Sequence, residues 1–184
     1  MTPLLTPRLR LVMPGPSHVA AHTAFLTSVR AQALGWQVMP HDAWRSFAVV
    51  LGHHVLCGFG PMVAEARDDG RAVGIFGPWC PDGQPEPEVT WSVWTAADEG
   101  RGLAQEAARA MLDHVWTGLG WQTAVSYIAH GNERSANLAR RLGAVQDGTW
   151  VTPRGTEVRV FRHAPGAGPA GFASAPDQHG QGVA

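Results

Sequence analysis

The residues with the clearest potential for chemistry form a glycine-rich turn, Asp98-Glu99-Gly100-Arg101-Gly102-Leu103-Ala104. The alternating residues 89–93 predict a strand that leads into this turn, and apolar residues at helical spacing over 103–115 predict a helix after it. The start of a helix leaves backbone N–H groups without partners, and glycine lets a ligand approach the backbone closely. We therefore predict a site for a phosphate or pyrophosphate, to which Arg101 adds a positive charge.

Two common phosphate sites do not fit this turn. A dinucleotide fingerprint requires a third glycine at the position that Gln105 occupies. The P-loop pattern, which ends in Gly-Lys-Ser/Thr, is absent. Neither NAD nor ATP is therefore the favoured ligand. A glycine-rich turn between a strand and a helix is also often no more than a tight connection, so the turn alone does not assign the ligand.

The turn belongs to a regular series of predicted strands and helices. Asp68-Asp69-Gly70 between two apolar runs predicts a hairpin, and Asn132 and Gly143 are suited to begin and end a short helix. The series predicts a three-layer α/β sandwich around one mixed sheet. The predicted strands cover about residues 8–13, 62–67, 71–79, 89–93, 124–129, 144–151 and 156–162. Four helices are predicted: one that starts at Ser17, one over residues 41–52, one that follows Gly102 and one that follows Asn132.

Length and composition restrict the classes of function. A chain of 184 residues suits one domain, which we predict over residues 1–163, followed by a Gly/Ala/Pro-rich tail over 164–184 that we predict to be disordered. The net charge is -1 and no run of Lys or Arg occurs, so we expect neither nucleic acid nor a membrane surface as a partner.

Cysteine usage and hydropathy favour a cytoplasmic protein. Cys57 and Cys80 are too few for a disulfide framework, and no stretch reaches the roughly 18 apolar residues of a membrane span. His53-His54-x-x-Cys57 resembles a metal cluster only superficially, because no second pair of ligands has the required spacing. We therefore expect no metal.

Two motifs resemble a known family. Residues 100–108 look like the pyrophosphate-binding motif of GNAT acetyltransferases, Q/R-x-x-G-x-G/A, with Glu99, Gly102 and Ala104 at its marked places. Residues 132–144 look like the Asn-containing helix of that family, which ends in Leu-Gly before the sixth strand. Residues 6–11 and 86–88 are similar to the branch that includes the ribosomal-protein N-terminal alanine acetyltransferases. The resemblance covers about residues 6–162.

The resemblance implies a fold, a co-substrate and a reaction. The fold is a three-layer α/β/α sandwich around a mixed, mostly antiparallel, seven-stranded sheet whose fourth strand is splayed. Acetyl-CoA is the implied co-substrate, and the acetyl group is transferred to a primary amine of a protein N-terminus or a small molecule by direct attack on the thioester. The implied cofactor-binding residues are Val93, Trp94, Glu99, Gly100, Arg101, Gly102, Leu103, Ala104, Asn132 and Ser135. The oligomeric state stays open, and a homodimer is the commonest assembly.

Catalytic candidates also come from the resemblance. Glu88, at the start of the fourth predicted strand, is the first candidate for the general base, and Glu86 is the second. Ser135 is the candidate for the group that protonates the leaving thiolate, although it could equally cap its helix. His130 is an alternative base because an unperturbed imidazole titrates near neutrality. Tyr127 lies on a buried strand and is expected in the core.

Departures from the family pattern keep a second function open. Glu99 stands where many members have Gln or Arg, and Ala139 stands where many have a tyrosine that protonates the thiolate. The alternative is therefore a catalytically degenerate CoA-binding sensor or partner module. Three tryptophans, Trp36, Trp44 and Trp79, lie in segments that frame the acceptor entrance in relatives, where aromatic rings could contact a cationic amine.

Overall fold

The computed structural model describes residues 2–34 and 38–166. Its centre is one eight-stranded sheet in the order β1-β2-β3-β4-β5-β6-β8-β7, in which β5 and β6 are parallel and every other neighbouring pair is antiparallel. The strands are β1 Leu4–Leu5, β2 Leu9–Val12, β3 Met62–Ala66, β4 Ala72–Trp79, β5 Glu88–Val93, β6 Ala124–Ala129, β7 Val145–Val151 and β8 Glu157–His163.

The sheet has one strand more than the seven predicted. The additional strand, β1, pairs with β2 through only two residues, Leu4 with Leu11 and Leu5 with Arg10. Two residues are too few to show the alternation by which a strand is recognised in a sequence. The predicted hairpin is present, with β3 and β4 antiparallel and Gly70 in the left-handed conformation at its turn.

Over residues 2–34 and 38–166, five helices cover the sheet: α1 Val19–Leu26, α2 Val29–Ala33, α3 Pro40–Cys57, α4 Leu103–Thr117 and α5 Glu133–Arg141. The helix predicted over 41–52 is longer, because Pro40 is favourable in a first turn and the helix continues to a left-handed stop at Gly58. Helix α2 was not predicted. Its N-cap is Ser28, whose hydroxyl accepts a hydrogen bond from the backbone N–H of Ala31.

The helices form two layers, as predicted. Helices α4 and α5 pack with one face of the sheet, where Leu9, Phe76 and Val89 meet Met111 and Leu138. A separate apolar cluster covers the other face. It joins Phe25, Leu26, Ala31 and Ala43 of helices α1, α2 and α3 to Val63, Ile75 and Trp94 of the sheet and its border. The three-layer α/β/α architecture is therefore confirmed.

The sheet opens between β5 and β6. These strands pair at one position, Glu88 with Val125, where the N–H of Val125 donates to the carbonyl of Pro87 at 2.9 Å. Beyond this pair the strands share no further ladder position, so a gap separates their carboxyl ends. The predicted splay of the strand over residues 89–93 is confirmed.

Some predictions fall outside the described residues. Trp36 lies in the undescribed segment 35–37, and the predicted tail lies almost wholly in 167–184. Among the helices that the structure describes, none has the length and apolar character needed to cross a membrane.

Candidate functional site

The glycine turn leads from β5 into α4 as predicted. Gly100 and Gly102 have φ values of +71° and +77°, a conformation that strains any residue with a side chain. Gly102 is the N-cap of α4, and no side chain caps the helix. The backbone N–H groups of the first turn, including those of Leu103 and Ala104, therefore remain for a ligand. The Leu103 side chain is buried, so its contribution is limited to the backbone.

Asp98 holds this turn from inside the protein. Its fully buried carboxylate accepts hydrogen bonds from Arg71 at 2.7 Å, from the Thr95 hydroxyl at 2.7 Å and from Arg101 at 3.4 Å. Burial by itself raises the pKa of Asp98, but the hydrogen bonds from Thr95 and Arg71 and the charges of the arginines lower it overall. Asp98 is therefore ionised. Sequence reasoning gave it no role, because its partner Arg71 lies 27 residues earlier in the chain.

The N-terminal segment is anchored to the same turn. Arg8 donates from Nη1 to the carbonyl of Arg101 at 2.8 Å and from Nε to Glu106 at 2.6 Å. The backbone N–H of Arg8 also donates to Glu106, at 2.8 Å. Beside these contacts lies an open concavity of about 400 Å³, lined by Arg8, Gly102, Gln105, Glu106 and Arg109.

Glu99 is engaged by two arginines. Arg30 of α2 donates to one carboxylate oxygen at 2.7 Å, and Arg134 of α5 donates to the other at 2.6 Å. The hydrogen bond from Arg30 is the largest cause that lowers the pKa of Glu99. The Glu99 side chain therefore connects helices from both layers across the end of β5.

The backbone of β5 presents polar groups to the gap. The N–H of Trp94 donates to Val73 of β4 at 2.9 Å, so alternate residues of the strand, Trp91 and Val93, direct their backbone groups away from β4. The carbonyl of Val93 accepts from Arg30 at 3.2 Å. The N–H groups of Trp91 and Val93 and the carbonyl of Trp91 therefore point into the gap.

Trp94 does not fit its predicted cofactor-binding role. Its N–H is used in the ladder with β4, its ring is only 4% exposed, and the ring nitrogen donates to the Ser92 hydroxyl at 3.2 Å. The ring packs at 5.6 Å from His22 in the core of the α1–α3 layer. The alternation of the strand directs the Trp94 ring into this core, whereas the backbone N–H of Val93 points into the gap.

Asn132 and Ser135 lie together at the start of α5. The side-chain oxygen of Asn132 accepts the N–H of Ser135 at 3.1 Å, so the predicted N-cap is present. The Ser135 hydroxyl accepts from the indole N–H of Trp91 at 3.3 Å. This contact places Ser135 beside the part of β5 that borders the gap.

Glu88 is half-buried at the base of the gap. Its carboxyl group accepts from the Gln84 side chain at 2.8 Å. Burial raises its pKa to about 7, and hydrogen bonds from Gln84, Thr90 and the backbone of Tyr127 offset part of this effect. Because side chains alternate along β5, Glu88 lies on the face opposite Trp91.

Glu86 has a different environment. Both of its carboxylate oxygens accept from the guanidinium of Arg162, at 2.7 and 2.9 Å. The hydrogen bond from Arg162 is the largest cause of its lowered pKa. A carboxylate held in this way is a weak base, and this distinction between Glu86 and Glu88 depends on a residue 76 positions further along the chain.

The side chains of the remaining candidates have other surroundings. His130 forms an exposed pair with Glu157 at 2.9 Å. Tyr127 packs its ring at 4.6 Å from Trp150, and burial raises its pKa to about 12. Trp44 is 59% exposed on α3.

The histidines of the 53–57 segment have structural partners. His53 bonds to the carbonyl of Phe59 at 2.8 Å and to the N–H of Cys80 at 3.1 Å, and its ring stacks on Trp79 at 4.5 Å. His54 bonds to the carbonyl of Pro61 at 3.0 Å. Over residues 2–34 and 38–166, no group of three His, Cys, Asp or Glu side chains is arranged to hold a metal ion.

A mixed sheet opens between two parallel strands, with a glycine turn and a helix start beside the opening, and this is the arrangement that the resemblance to the GNAT acetyltransferases implies. A family model of the acetyltransferase (GNAT) domain matches residues 8–145. The chain therefore belongs to the GNAT acetyltransferase family, and it is an acyl-CoA N-acyltransferase.

Solved structures agree with this assignment. An acetyltransferase from Agrobacterium tumefaciens superposes with a TM-score of 0.79 at 29% identity, covering 89% of this chain and 94% of its own. The ribosomal-protein-S5-alanine acetyltransferase from Vibrio fischeri superposes with a TM-score of 0.71 at 12% identity, covering 90% of this chain and 98% of its own. An aminoglycoside acetyltransferase in complex with coenzyme A and kanamycin superposes with a TM-score of 0.70 at 15% identity, covering 86% of this chain and 96% of its own. The last two similarities show the fold alone.

Proposed function

We propose that this acetyltransferase moves the acetyl group of acetyl-CoA to a primary amine that attacks the thioester directly, with Glu88 as the general base. The observation that carries the proposal is the position of Glu88 at the base of the gap together with its pKa of about 7. A base that titrates near neutrality can both accept a proton from an ammonium group and release it to solvent.

The turn is suited to the pyrophosphate of the co-substrate. Two glycines at positive φ allow close approach, the first-turn N–H groups of α4 supply donors, and Arg101 adds a positive charge. We assign this contact to Gly100, Arg101, Gly102, Leu103 and Ala104. Asp98 and Arg8 hold the turn in place through Arg101, so less ordering is required when the ligand binds.

The gap is suited to the pantetheine arm and the thioester. The N–H groups of Trp91 and Val93 can donate to an amide or to the thioester oxygen, on which negative charge develops during attack. Asn132 borders the same arm from α5. In this scheme Trp94 and the Glu99 side chain support the site without contacting the co-substrate.

The proton and electron-pair movements follow from these positions. Glu88 takes a proton from the ammonium, directly or through a water molecule, and the neutral nitrogen forms a bond to the acetyl carbon. The carbon–sulfur bond breaks, the nitrogen loses its second proton to solvent, and the thiolate takes a proton from solvent or from the Ser135 hydroxyl, which solvent then reprotonates. Ser135 receives a hydrogen bond from Trp91, which favours release of its own proton.

The acceptor class remains a primary amine of a protein N-terminus or of a small molecule. The structural neighbours include enzymes named for each of these classes, and their similarity in fold does not choose between them. Glu88 supplies the carboxylate that an ammonium group requires, and Trp79 lies stacked at the end of β4 beside the same edge of the sheet.

Calorimetric titration with acetyl-CoA is the first test of the proposal. The second is an assay of free-thiol release with a panel of acceptors that contains a polyamine, an aminoglycoside and peptides that begin with alanine or serine. Binding with thiol release for one class supports the proposal and identifies the acceptor. Binding without release for any amine favours the degenerate CoA-binding alternative, and an absence of binding overturns the proposal.

A further inference from the structure

A buried polar contact marks the point at which β5 and β6 separate. Ser126 of β6 donates from its hydroxyl to the carbonyl of Val89 at 2.6 Å, one residue after the single ladder pair of the two strands. In a continued parallel ladder, that carbonyl would accept the backbone N–H of Tyr127. The serine hydroxyl donates to this carbonyl at the point where the ladder ends.

The direction of the hydrogen bonds in this contact can be assigned. A carbonyl only accepts, so the single proton of the Ser126 hydroxyl is directed to Val89. The hydroxyl oxygen must then accept from Nε2–H of His163, which lies 3.0 Å away. His163 is 2% exposed, and burial, with a smaller effect from the charge of Arg109, lowers its pKa to about 4. The imidazole is therefore neutral near pH 7, and its tautomer fixes the orientation of the hydroxyl.

The contact reaches both sides of the site. The backbone N–H of Tyr127, which does not enter the ladder, instead acts on the Glu88 carboxylate and lowers its pKa. On the opposite face, the His163 ring lies edge-on to Trp91 at 6.1 Å, and the Trp91 indole donates to Ser135. One serine hydroxyl therefore lies between the candidate base and the candidate acid.

We propose that Ser126 and His163 are positioning residues that fix where the gap between β5 and β6 begins, and so place the Trp91 backbone and the Glu88 carboxylate. The proposal rests on the gap being the acetyl-CoA site. Without the hydroxyl, the buried carbonyl of Val89 lacks a donor, and the N–H of Tyr127 turns from Glu88 to supply one. The ladder then extends by one step and the gap becomes shorter.

The experiment uses paired variants of the full chain. Ser126→Ala removes the hydroxyl, and Ser126→Thr retains it. His163→Leu removes the donor, and His163→Gln retains an N–H in a side chain of similar length. Ser46→Ala is the matched control, because Ser46 also donates to a backbone carbonyl, that of Ala43 at 2.9 Å, but lies on α3.

The first measurement is the Kd for acetyl-CoA by calorimetry. We expect it to rise about tenfold in Ser126→Ala and His163→Leu, because a shorter gap displaces the donors that the thioester requires. Ser126→Thr and His163→Gln should restore most of the affinity, and Ser46→Ala should match the wild type. An unchanged Kd in Ser126→Ala, with or without a lower melting temperature, overturns the proposal.

The second measurement is the titration of Glu88, monitored by carbon NMR of the protein with labelled glutamate. The signal that is missing in Glu88→Gln assigns the Glu88 carboxyl group. Losing the effect of the Tyr127 N–H should move this titration to higher pH in Ser126→Ala. The other titratable groups near Glu88, which are the Cys80 thiol, the Tyr127 phenol and the Glu86–Arg162 pair, stay the same. A titration identical to the wild type overturns the proposal. Should the wild type not bind acetyl-CoA, the proposed function fails, and this titration still decides whether Ser126 positions Glu88.

Discussion

Glu88→Gln separates the general base from other acidic groups of the site. Glutamine keeps the shape of the side chain but cannot accept a proton near neutral pH. With the pKa of Glu88 at about 7, the wild-type kcat/KM should fall as the pH decreases below 7, because the base becomes protonated. In Glu88→Gln, kcat/KM at pH 8 should be lower by a factor of about 100 or more, and this acid limb should disappear.

The same substitution has a calculable effect on stability. The rise in the pKa of Glu88 from its ordinary value of 4.5 to about 7 means that the folded state disfavours the ionised carboxylate by about 3 kcal/mol. Between these two values the folded protein holds the proton and the unfolded chain does not, so the wild-type free energy of unfolding decreases as the pH rises. Glu88→Gln lacks this decrease. Glu88 is only half-buried, so solvent reduces this effect. Between pH 4 and pH 8 we expect the free energy of unfolding of the variant to rise by about 2 kcal/mol relative to that of the wild type.

Urea denaturation at several pH values and the pH profile of thiol release measure the two effects. The matched control is Glu86→Gln, since Glu86 is ionised against Arg162 and its removal should leave the acid limb in place. If Glu88→Gln retains both the acid limb and the wild-type dependence of stability on pH, Glu88 is neither the base nor a group with a raised pKa. The reasoning from its burial would then be refuted.

Three other substitutions test the cofactor turn and the candidate acid. Gly102→Ala adds a Cβ at a φ of +77°, and a strain of about 1–2 kcal/mol should weaken acetyl-CoA binding about tenfold in calorimetry; unchanged affinity would show that the turn tolerates a side chain. Asp98→Asn leaves Arg71 without its buried anion and should lower the free energy of unfolding at pH 7 by about 3 kcal/mol in urea denaturation. The difference should begin to shrink as the pH falls below 3.8, where the unfolded chain takes up the proton first, and should be lost once the pH passes the lowered pKa of the folded carboxylate. A change under about 1 kcal/mol at pH 7 would contradict its role. Ser135→Ala should lower kcat about tenfold with little effect on the KM for acetyl-CoA in a thiol-release assay, and full turnover would assign the proton to solvent.

Local patterns were enough to predict the glycine turn and the order of the elements. The alternation over 89–93, the glycines at 100 and 102 and the Asn132 cap are all properties of a few neighbouring residues, and each depends on backbone geometry that the residue type restricts. The two-residue strand β1 and the five-residue helix α2 were missed because neither is long enough to show a period.

The chemical character of the site residues depended on distant partners. Glu86 and Glu88 are two residues apart and indistinguishable by type, yet Arg162 lowers the pKa of the first while burial raises that of the second to about 7. Trp94 illustrates the same limit, because only its pairing with β4 shows that its N–H is engaged and that its ring lies in the core.

The sequence by itself therefore determined the family, the fold class and the position of the glycine turn, since these follow from short-range backbone preferences and periodicity. The tertiary structure alone decided which carboxylate is ionised, which N–H groups remain available and where the gap begins. Proton affinity and hydrogen-bond capacity depend on burial and on contacts between residues that are far apart in the chain. The contact of Ser126 with Val89, 37 residues away, is one such case.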